Sequence, residues 1–469
     1  MKKKVREVLE GVIIESVAAE GRSIAKINGK VLFVPFAIPG DLVDVEIHRK
    51  KSGWMEGIIK RVVNPSKDRI DPFCSHYGIC GGCKWQPLPY HLQLLFKHQQ
   101  VSDQLKRIGG LELPEVSAII GSEKTTRYRN KLEFTFSNKR WVDSIAELQS
   151  LSEKERFGLG FHISGMFDKV VDINRCYLQE EPSNDIRNFI RDFACKNDYS
   201  FFDLREQNGL LRTLIIRTSS IGEVMVIVVF SYFDKDKINN LMDSLISTFP
   251  AITSLNYVIN GKKNDTINDL DVVNYFGPDS IYEKMEDLRF KIGPKSFFQT
   301  NSEQAYRLYC VVREFAALSG NEILYDLYTG TGTIALFLAS EVKKVIGVEF
   351  VPEAIEDARI NASINNINNA IFFAGDMKDV ISESFIEQNG SPDVIILDPP
   401  RAGVHQDVID VIVKVKPPKI VYVSCNPATQ ARDISIMKDL YVLSKIQPVD
   451  MFPHTHHLEN VVLLELKNE

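Results

Sequence analysis

Short apolar runs alternate with amphipathic stretches along the C-terminal part of the chain. The apolar runs are rich in β-branched residues and predict buried strands at residues 323–327, 345–348, 370–373, 394–397, 420–423 and 461–466. The amphipathic stretches predict helices, among them residues 335–338, 352–361, 408–415 and one that begins at Thr300 or Asn301. Elements in this order build a doubly wound sheet, so residues 289–469 are predicted to form an α/β domain.

The N-terminal part shows a different pattern, in which short strands are separated by glycine turns. Strands are predicted at residues 12–14, 24–27, 31–34 and 42–47, with turns at Gly21, Gly29 and Gly40. This pattern predicts a small, OB-like β-barrel over residues 1–62. Barrels of this size commonly bind oligonucleotides.

Between these two parts, residues 63–288 are predicted to form a mixed α+β domain. Residues 89–108 predict an amphipathic helix, with Leu94, Val101, Leu105 and Ile108 on its apolar face and Lys97 on another face. Residues 211–218 and 223–233 predict a β-hairpin.

A strand is also predicted from about residue 126, and it carries basic residues on one face. Arg127, Arg129 and Lys131 share one parity, while aromatic and aliphatic residues hold the other. Basic and aromatic residues interleaved in this way could follow an RNA backbone. The alternative is an amphipathic strand with one core face, and the sequence favours neither interpretation.

Composition limits the class of protein. A chain of 469 residues with 44% hydrophobic and 25% charged residues is typical of a soluble protein of two or three domains. No apolar run reaches the roughly 20 residues of a membrane helix, and the basic residues 1–4 precede no apolar stretch. A cytoplasmic protein is therefore expected. The net charge of −6 argues mildly against a nucleic-acid partner, although local basic patches are present.

Three of the seven cysteines lie close together and suggest a metal centre. Cys74, Cys80 and Cys83 fall within ten residues, with two glycines before the third thiol. An iron–sulfur cluster or a structural zinc ion needs four thiolates, so a fourth cysteine is required. Cys176 fits best, with Cys195 as its rival. Spacing alone leaves zinc open as a less favoured alternative to iron–sulfur.

Three features at predicted strand ends favour S-adenosylmethionine as a cofactor. Residues 326–333 form a glycine-containing turn after the first strand of the α/β domain. Glu349 follows at the end of the second strand, where a carboxylate can accept the ribose hydroxyls. Asp376 ends the third strand and is placed to meet an adenine amino group. The glycine spacing differs from that of a dinucleotide-binding turn.

Cys425 lies where a buried strand stops abruptly at a Ser-Cys-Asn-Pro sequence. Ligands bind at this end of the strands in open α/β sheets. Asp398, in an Asp-Pro-Pro-Arg sequence, ends the preceding strand, and Glu459 precedes the last strand at the predicted rim of the crevice. A thiolate that adds to C6 of uracil activates C5 for methylation, and a base must then remove the C5 proton. Cys425 and Glu459 are the candidates for these two roles.

Other residues near these motifs argue against methylation of exocyclic amines and against a histidine metal site. Arg401 stands where amine methyltransferases carry an aromatic residue after Asp-Pro-Pro, which disfavours methylation of exocyclic amines. The histidines of the last loop, His454, His456 and His457, could suggest a metal site. Three histidines in four residues more often cap, orient or face solvent.

Taken together, these motifs resemble the RNA uracil-5-methyltransferase family, and within it the branch that carries a TRAM domain, a 4Fe-4S cluster and a class I methyltransferase domain with a Rossmann-like fold. Residues 21–25 and 34–41 resemble the TRAM barrel, and the similarity runs nearly end to end. The resemblance implies RNA binding by the barrel, an RNA substrate, with 23S rRNA favoured, and packing of part of residues 84–120 on the catalytic domain. It implies no obligate protein partner.

The resemblance also assigns roles to single residues. It implies Cys425 as nucleophile, Glu459 as base and Asp398 as a contact to cofactor or substrate. Its cluster ligands fall on Cys74, Cys80, Cys83 and Cys176. Its S-adenosylmethionine contacts fall on Gln299, Tyr328, Thr333, Glu349 and Asp376. Thr333 stands where the family often has asparagine, so one polar contact differs.

Three alternatives stay open at this point. The first is the same reaction on tRNA, since some relatives that carry the cluster modify tRNA. The second is 5-methylcytosine formation, although such enzymes usually carry a second cysteine where this chain has Asp-Pro-Pro-Arg. The third is a non-catalytic iron–sulfur protein that binds RNA.

Overall fold

The computed structural model describes residues 7–468. The basic residues 1–4, which entered the targeting argument, lie outside the described residues. Three sheets and one separate hairpin make up the strand content. No helix among the described residues has the length and apolar character needed to cross a membrane.

The N-terminal sheet is a strongly curved, mixed sheet of six strands. Its strands are β1 (Val8–Ile13), β2 (Ser16–Val17), β3 (Ser23–Ile27), β4 (Lys30–Val34), β5 (Leu42–Lys50) and β6 (Trp54–Asn64). The spatial order is β1-β5-β6-β4-β3-β2. Because β1 and β2 are consecutive in sequence yet lie at opposite edges, the sheet closes toward a barrel. The four predicted strands are confirmed.

The sequence did not predict β6. Only Met55 and Gly57 are buried in this strand, and its second half is exposed and carries Lys60 and Arg61. A strand with so few buried positions has no apolar alternation to reveal it. It also extends two residues past the predicted boundary at residue 62.

The central part contains a seven-stranded sheet covered by two helices. The elements, in chain order, are α1 (Tyr90–Arg107), β7 (Lys131–Ser137), α2 (Ile145–Ser150), β8 (Gly158–Ile163), β9 (Met166–Asp172), α3 (Ser183–Lys196), β10 (Leu211–Thr218), β11 (Val224–Phe230), α4 (Lys235–Thr248), β12 (Ile252–Ile259) and β13 (Val272–Phe276). The order is β13-β12-β11-β10-β7-β8-β9. The predicted hairpin β10–β11 and the strand β7 are confirmed, although β7 begins at Lys131 rather than near residue 126. A separate hairpin, β14 (Ile281–Met285) and β15 (Leu288–Ile292), follows.

The C-terminal part is a doubly wound α/β sheet, as predicted. Its elements are α5 (Ser302–Ala316), β16 (Ile323–Leu327), α6 (Thr333–Leu338), β17 (Lys344–Glu349), α7 (Pro352–Ile364), β18 (Ala370–Ala374), α8 (Met377–Val380), α9 (Glu383–Asn389), β19 (Val394–Leu397), α10 (Gln406–Val415), β20 (Lys419–Ser424), α11 (Pro427–Met437), β21 (Tyr441–Val449) and β22 (Glu459–Leu466). Asn301 caps α5 by accepting a hydrogen bond from the Gln304 amide.

The topology of this sheet places the crevice. Its order is β18-β17-β16-β19-β20-β22-β21, with β16 to β20 parallel and β22 antiparallel to its neighbours. The chain adds β17 and β18 on one side of β16 and then returns to add β19 on the other side, so the strand order reverses between β16 and β19. A ligand crevice forms at such a switch point. The sequence did not predict β21, in which Lys445, Gln447 and Pro448 interrupt the apolar pattern.

Helix α1 packs on the C-terminal sheet although it lies far away in sequence. Val101 and Leu105 belong to the same hydrophobic core as β16, β17 and β20. Two predictions for this helix were wrong: Ile108 is 52% exposed, and Lys97 is fully buried. The Lys97 ammonium donates to Asp450 Oδ1 at 2.5 Å and to the Phe452 carbonyl at 3.1 Å. A buried lysine needs such a partner, and this one lies 353 residues away.

Candidate active site

Cys425 lies in the turn between β20 and α11. The residues before it are buried in the sheet, and Pro427 starts the helix that follows. The Asn426 side chain caps this helix by accepting from the Ala428 amide at 3.2 Å. The cap and the proline end the strand at this point, so the half-buried thiol stands at the C-terminal edge of the sheet, as predicted.

The structure brings two carboxyl groups into the neighbourhood of Cys425. Asp398 follows β19, the strand beside β20. Glu459 is the first residue of β22 and pairs with Val449. The last strand was predicted to begin at Val461 but already includes Glu459, which is only 4% exposed. Its Oε2 atom has no hydrogen-bond partner among the residues that the structure describes.

In the RNA-free protein, burial shifts Asp398, Glu459 and Cys425 toward their protonated forms. Burial raises the pKa of Asp398 to about 7. Burial, and secondarily the Asp398 charge, raise the pKa of Glu459 well above its ordinary value. Burial and the neighbouring Glu459 and Asp398 also raise the pKa of the Cys425 thiol to about 11, while Arg401 opposes this increase. The thiol is therefore protonated at neutral pH before RNA binds.

This property gives a direct test by alkylation. The rate of Cys425 modification by iodoacetamide is expected to rise about tenfold per pH unit between pH 7 and 10, because the reactive thiolate fraction rises by that factor below the pKa. Peptide mass spectrometry resolves Cys425 from the other cysteines. N-acetylcysteine is the reference, and its rate should level off at a lower pH than that of Cys425, because its thiol has the lower pKa. A plateau for Cys425 below pH 9 would contradict the expectation.

Arg401 also belongs to this site, although no role there was predicted for it. Its guanidinium charge lowers the pKa of the Cys425 thiol. Its backbone carbonyl accepts from Asn426 Nδ2 at 3.2 Å and from Thr429 Oγ1 at 3.3 Å. The available signal was its position directly after Asp-Pro-Pro, which places it at the same edge of the sheet as Asp398.

The predicted cofactor turn follows β16 at the same edge. Tyr328 has a positive φ of 68°, and its amide donates to the Val348 carbonyl at 3.0 Å, which ties the turn to β17. The Glu349 carboxylate accepts from the Gly330 amide at 3.2 Å and from the Val351 amide at 3.0 Å. Glu349 thus closes the turn from the neighbouring strand, which brings the two predicted cofactor elements together.

Three further residues were predicted to contact the cofactor. Asp376 caps α8 by accepting from the Lys378 amide at 3.3 Å. Burial raises the pKa of the Tyr328 hydroxyl, and the Asp376 charge adds to this increase. The Thr333 hydroxyl lies 3.2 Å from the buried Tyr309 hydroxyl. Gln299 is buried, and its backbone carbonyl accepts from Asn130 Nδ2 at 2.8 Å. Their contacts to a cofactor stay predictions.

The four cysteines of the predicted cluster line one cavity of about 250 Å³. Cys74, Cys80 and Cys83 come from the loop before α1, and Cys176 comes from the segment before α3. The Cys176 amide donates to Asn184 Oδ1 at 2.8 Å, which fixes this residue against the helix. Cys195, the rival ligand, instead lies in α3 and packs against the core of the central sheet.

The geometry around these thiols differs from that of a single-ion site. Within residues 7–468, no group of three or more His, Cys, Asp or Glu side chains is placed to hold a metal ion. The four thiols share one cavity. Gly81 lets their loop approach β8 closely, because a Cβ at Gly81 would lie 2.7 Å from the His162 carbonyl oxygen.

The three histidines of the last loop are packed inside the protein. Burial lowers the pKa of His454 and of His456 to about 4 and that of His457 to about 3, so all three are neutral at pH 7. His454 Nδ1 lies 3.3 Å from Gln93 Nε2 of α1. His457 Nδ1 lies 3.4 Å from an Arg401 guanidinium nitrogen.

The structure separates the three predicted RNA-binding residues. Arg127 is exposed, and Arg129 lies with its guanidinium 5.4 Å from the centre of the Phe452 ring. Both line a groove of about 610 Å³ beside the N-terminal end of α5. Lys131 is paired with Glu133 at 2.5 Å on the same face of β7. A role in RNA binding stays a prediction for all three.

Comparison with known proteins identifies the family. A family model described as tRNA (uracil-5-)-methyltransferase matches residues 236–467, and a TRAM domain model matches residues 2–60. An RNA methyltransferase of Bacteroides thetaiotaomicron is 58% identical over 96% of this chain and 100% of its own length. One of Chlorobaculum tepidum is 38% identical over 97% of each chain.

A solved structure agrees over the full length. The tRNA (uracil-54, C5)-methyltransferase of Pyrococcus abyssi, in complex with S-adenosyl-L-homocysteine, superimposes with a TM-score of 0.76 at 30% identity and covers 97% of this chain and 100% of that chain. The C-terminal α/β sheet described above therefore has a methyltransferase fold. This chain belongs to the RNA uracil-5-methyltransferase family and is an S-adenosylmethionine-dependent RNA methyltransferase with an N-terminal TRAM domain.

Proposed function

We propose that this protein methylates C5 of a uridine in RNA and that Cys425 is the covalent nucleophile. The observation that carries the proposal is the convergence of the Cys425 thiol with Asp398, Glu459 and Arg401 at one edge of the sheet. C5 of uracil is too weak a nucleophile to react alone. A thiol beside buried carboxyl groups supplies the addition and the proton removal that this carbon requires.

The reaction follows from the chemistry of these side chains. The Cys425 thiol loses its proton to solvent, and the resulting thiolate forms a bond to C6 of uracil while the electrons of the C5–C6 double bond move toward the O4 carbonyl. C5 is then nucleophilic enough to take a methyl group. The Glu459 carboxylate next removes the C5 proton, and the bond between Cys425 and C6 breaks. Burial that raises the pKa of Glu459 also makes its carboxylate a stronger proton acceptor.

The proposed cofactor site lies on the turn after β16. S-adenosylmethionine, when bound, supplies an electrophilic methyl group. We assign its binding to Gln299, Tyr328, Thr333, Glu349, Asp376 and Asp398. The Glu349 carboxylate already closes the turn on Gly330, and Asp398 lies between this turn and Cys425 in the order of the sheet.

We assign the substrate to 23S rRNA, because the TRAM barrel and the four-cysteine loop together resemble the branch that acts on ribosomal RNA. A specific observation supports tRNA as the second candidate: the Pyrococcus abyssi neighbour acts on tRNA and matches this chain over its whole length. We propose three domains in the order of residues 1–62, 63–288 and 289–469, with the first extended to Asn64, where β6 ends, and the second boundary moved so that it does not cut β15.

Methyl transfer to separate RNA pools tests the reaction and the substrate together. Purified protein is incubated with methyl-labelled S-adenosylmethionine and either unmodified 23S rRNA or unmodified tRNA, and nucleosides are then resolved. Label in 5-methyluridine from the 23S rRNA pool supports the proposal. Label from the tRNA pool alone moves the substrate to tRNA. Label in 5-methylcytidine, or transfer to neither pool, would contradict the proposed reaction.

We propose that the four cysteines hold a 4Fe-4S cluster. Their cavity, of about 250 Å³, fits a group of several atoms, and Lys84, Arg129 and Arg175 line it and offset the charge of the thiolates. The expected role is structural, since the cysteine loop, the segment before α3 and the last loop all line this cavity.

Metal analysis checks this assignment. Anaerobically purified protein is expected to contain about four irons per chain and to be brown. Cys83→Ser should lose iron and lower the melting temperature, because it leaves the cluster one ligand short. Cys195→Ser is the matched control and should keep the iron content of the wild type. Zinc without iron in the wild type would rule out the cluster.

A further inference from the structure

Residues 455–457 separate the two sites described above. On one side, Thr455, His456 and His457 line the four-cysteine cavity. On the other side, His457 Nδ1 lies 3.4 Å from the guanidinium of Arg401, which neighbours the Cys425 thiol. Residues 455–457 therefore line the cavity and also contact a side chain of the proposed active site.

Two other parts of the chain hold residues 454–457 in place. The amides of Lys84 and Trp85, next to the cysteine loop, both donate to the His454 carbonyl. The Trp85 indole in turn donates to the Gly21 carbonyl of the barrel at 3.0 Å. Gly21 packs so closely that a Cβ there would lie 3.0 Å from His456 Cβ.

The rings of His456 and His457 also contact each other, with their centres 3.9 Å apart. The His457 amide donates to Thr455 Oγ1 at 3.2 Å. His457 consequently has its backbone and one face of its ring fixed by neighbours. Such a residue can fix the position of another side chain, whereas a free surface histidine cannot.

Arg401 needs such support. Its backbone is held by Asn426 and Thr429, but its side chain is exposed and would otherwise sample several rotamers. A guanidinium has donors only, so His457 Nδ1 must be the acceptor in this contact. We propose that His457 is a positioning residue for methyl transfer, which holds the Arg401 guanidinium against the Cys425 thiol. This inference rests on the proposed function.

The test uses the intact protein with its cluster and compares two variants of His457. His457→Ala removes the acceptor, whereas His457→Asn keeps an acceptor oxygen near the position of Nδ1. His91→Ala, on the exposed face of α1, is the matched control. The first readout is the rate of Cys425 alkylation at pH 8, measured at the peptide level without RNA or methyl donor. The second is kcat and KM for RNA methylation.

The alanine variant is expected to slow Cys425 alkylation by up to about tenfold, the equivalent of one pKa unit. It should lower kcat by up to about 100-fold with KM for RNA unchanged, because a misplaced group acts on the chemical step. The asparagine variant should recover most of both values. In an Arg401→Ala background, His457→Ala should slow alkylation no further, since the two residues act through one contact.

Several outcomes would overturn the inference. They are unchanged alkylation in His457→Ala, equal damage by alanine and asparagine, an effect confined to KM for RNA, or additive effects with Arg401→Ala. If His457→Ala does not fold, the single variants Arg401→Ala and His457→Asn still decide the question, because the first must slow Cys425 alkylation and the second must not. Failure of the proposed function looks different, because wild type would then form no 5-methyluridine while the alkylation rates remain measurable.

Discussion

Replacement of Cys425 by alanine is expected to abolish methyl transfer, with a loss of at least about 10⁴-fold in kcat. Without the thiol, C5 of uracil is not activated, and the remaining groups only bind and orient the substrates. Cys310→Ala, which removes another half-buried thiol from the same part of the chain, is the matched control and should keep near wild-type activity. Methyl transfer to RNA under single-turnover conditions measures both.

A covalent adduct gives an independent readout of the same residue. RNA that carries 5-fluorouridine should form a denaturation-resistant complex with wild type in the presence of S-adenosylmethionine, because fluorine at C5 cannot leave as a proton. The complex should be absent in Cys425→Ala and present in Cys310→Ala. An adduct that persists in Cys425→Ala would place the nucleophile elsewhere.

Glu459→Gln should behave differently from the cysteine variant. The amide keeps the shape of the side chain but accepts no proton, so addition and methylation can occur while release is blocked. A methyl-labelled protein–RNA adduct should therefore accumulate with ordinary uridine RNA, visible on a denaturing gel. Glu465→Gln, an exposed glutamate of the same strand, should turn over normally. Rapid turnover by Glu459→Gln would exclude Glu459 as the base.

Lys97→Met is expected to lower the free energy of unfolding by about 3–5 kcal/mol, the cost of leaving a buried charge without its partner. Asp450 would keep hydrogen bonds from the Tyr90 hydroxyl at 2.8 Å and the Phe452 amide at 3.0 Å, but it would lose the ammonium. Burial lowers the pKa of Lys97, while Asp450 raises it, so the pair stabilises the charged lysine.

Urea unfolding followed by circular dichroism measures this effect. Lys106→Met, exposed near the end of the same helix, should change stability by less than about 0.5 kcal/mol. The double variant Lys97→Met/Asp450→Asn removes both charges and should recover part of the loss. Equal stability of wild type and Lys97→Met would mean that the ion pair does not hold α1 on the sheet.

This ion pair also has a consequence for the active site. Asp450 begins the segment that ends at Glu459, and α1 holds it through Lys97, Tyr90 and Gln93. Loss of the pair is therefore expected to weaken the placement of Glu459 as well as the packing of the helix. Activity of Lys97→Met should fall more steeply with temperature than that of Lys106→Met.

Local pattern alone determined most of the sheet elements and the residues at their ends. The strands β16 to β20 were predictable because each is a short apolar run, and Cys425 was predictable because Asn426 and Pro427 stop the last of these strands. The strand ends carry Tyr328, Glu349 and Asp398, and parallel strands bring their ends to one edge. That rule needs no knowledge of distant contacts.

Only the tertiary structure decided the burial of Lys97 and Glu459 and the contact between Arg401 and His457. Lys97 is polar by type, and its burial depends on Asp450, 353 residues away. Glu459 becomes buried because β22 lies between β20 and β21, and β21 itself shows no clear pattern. His457 meets Arg401 because two loops converge at the edge of the sheet. Periodicity reports which residues prefer burial, whereas these charged groups are buried or fixed by partners that the local sequence does not contain.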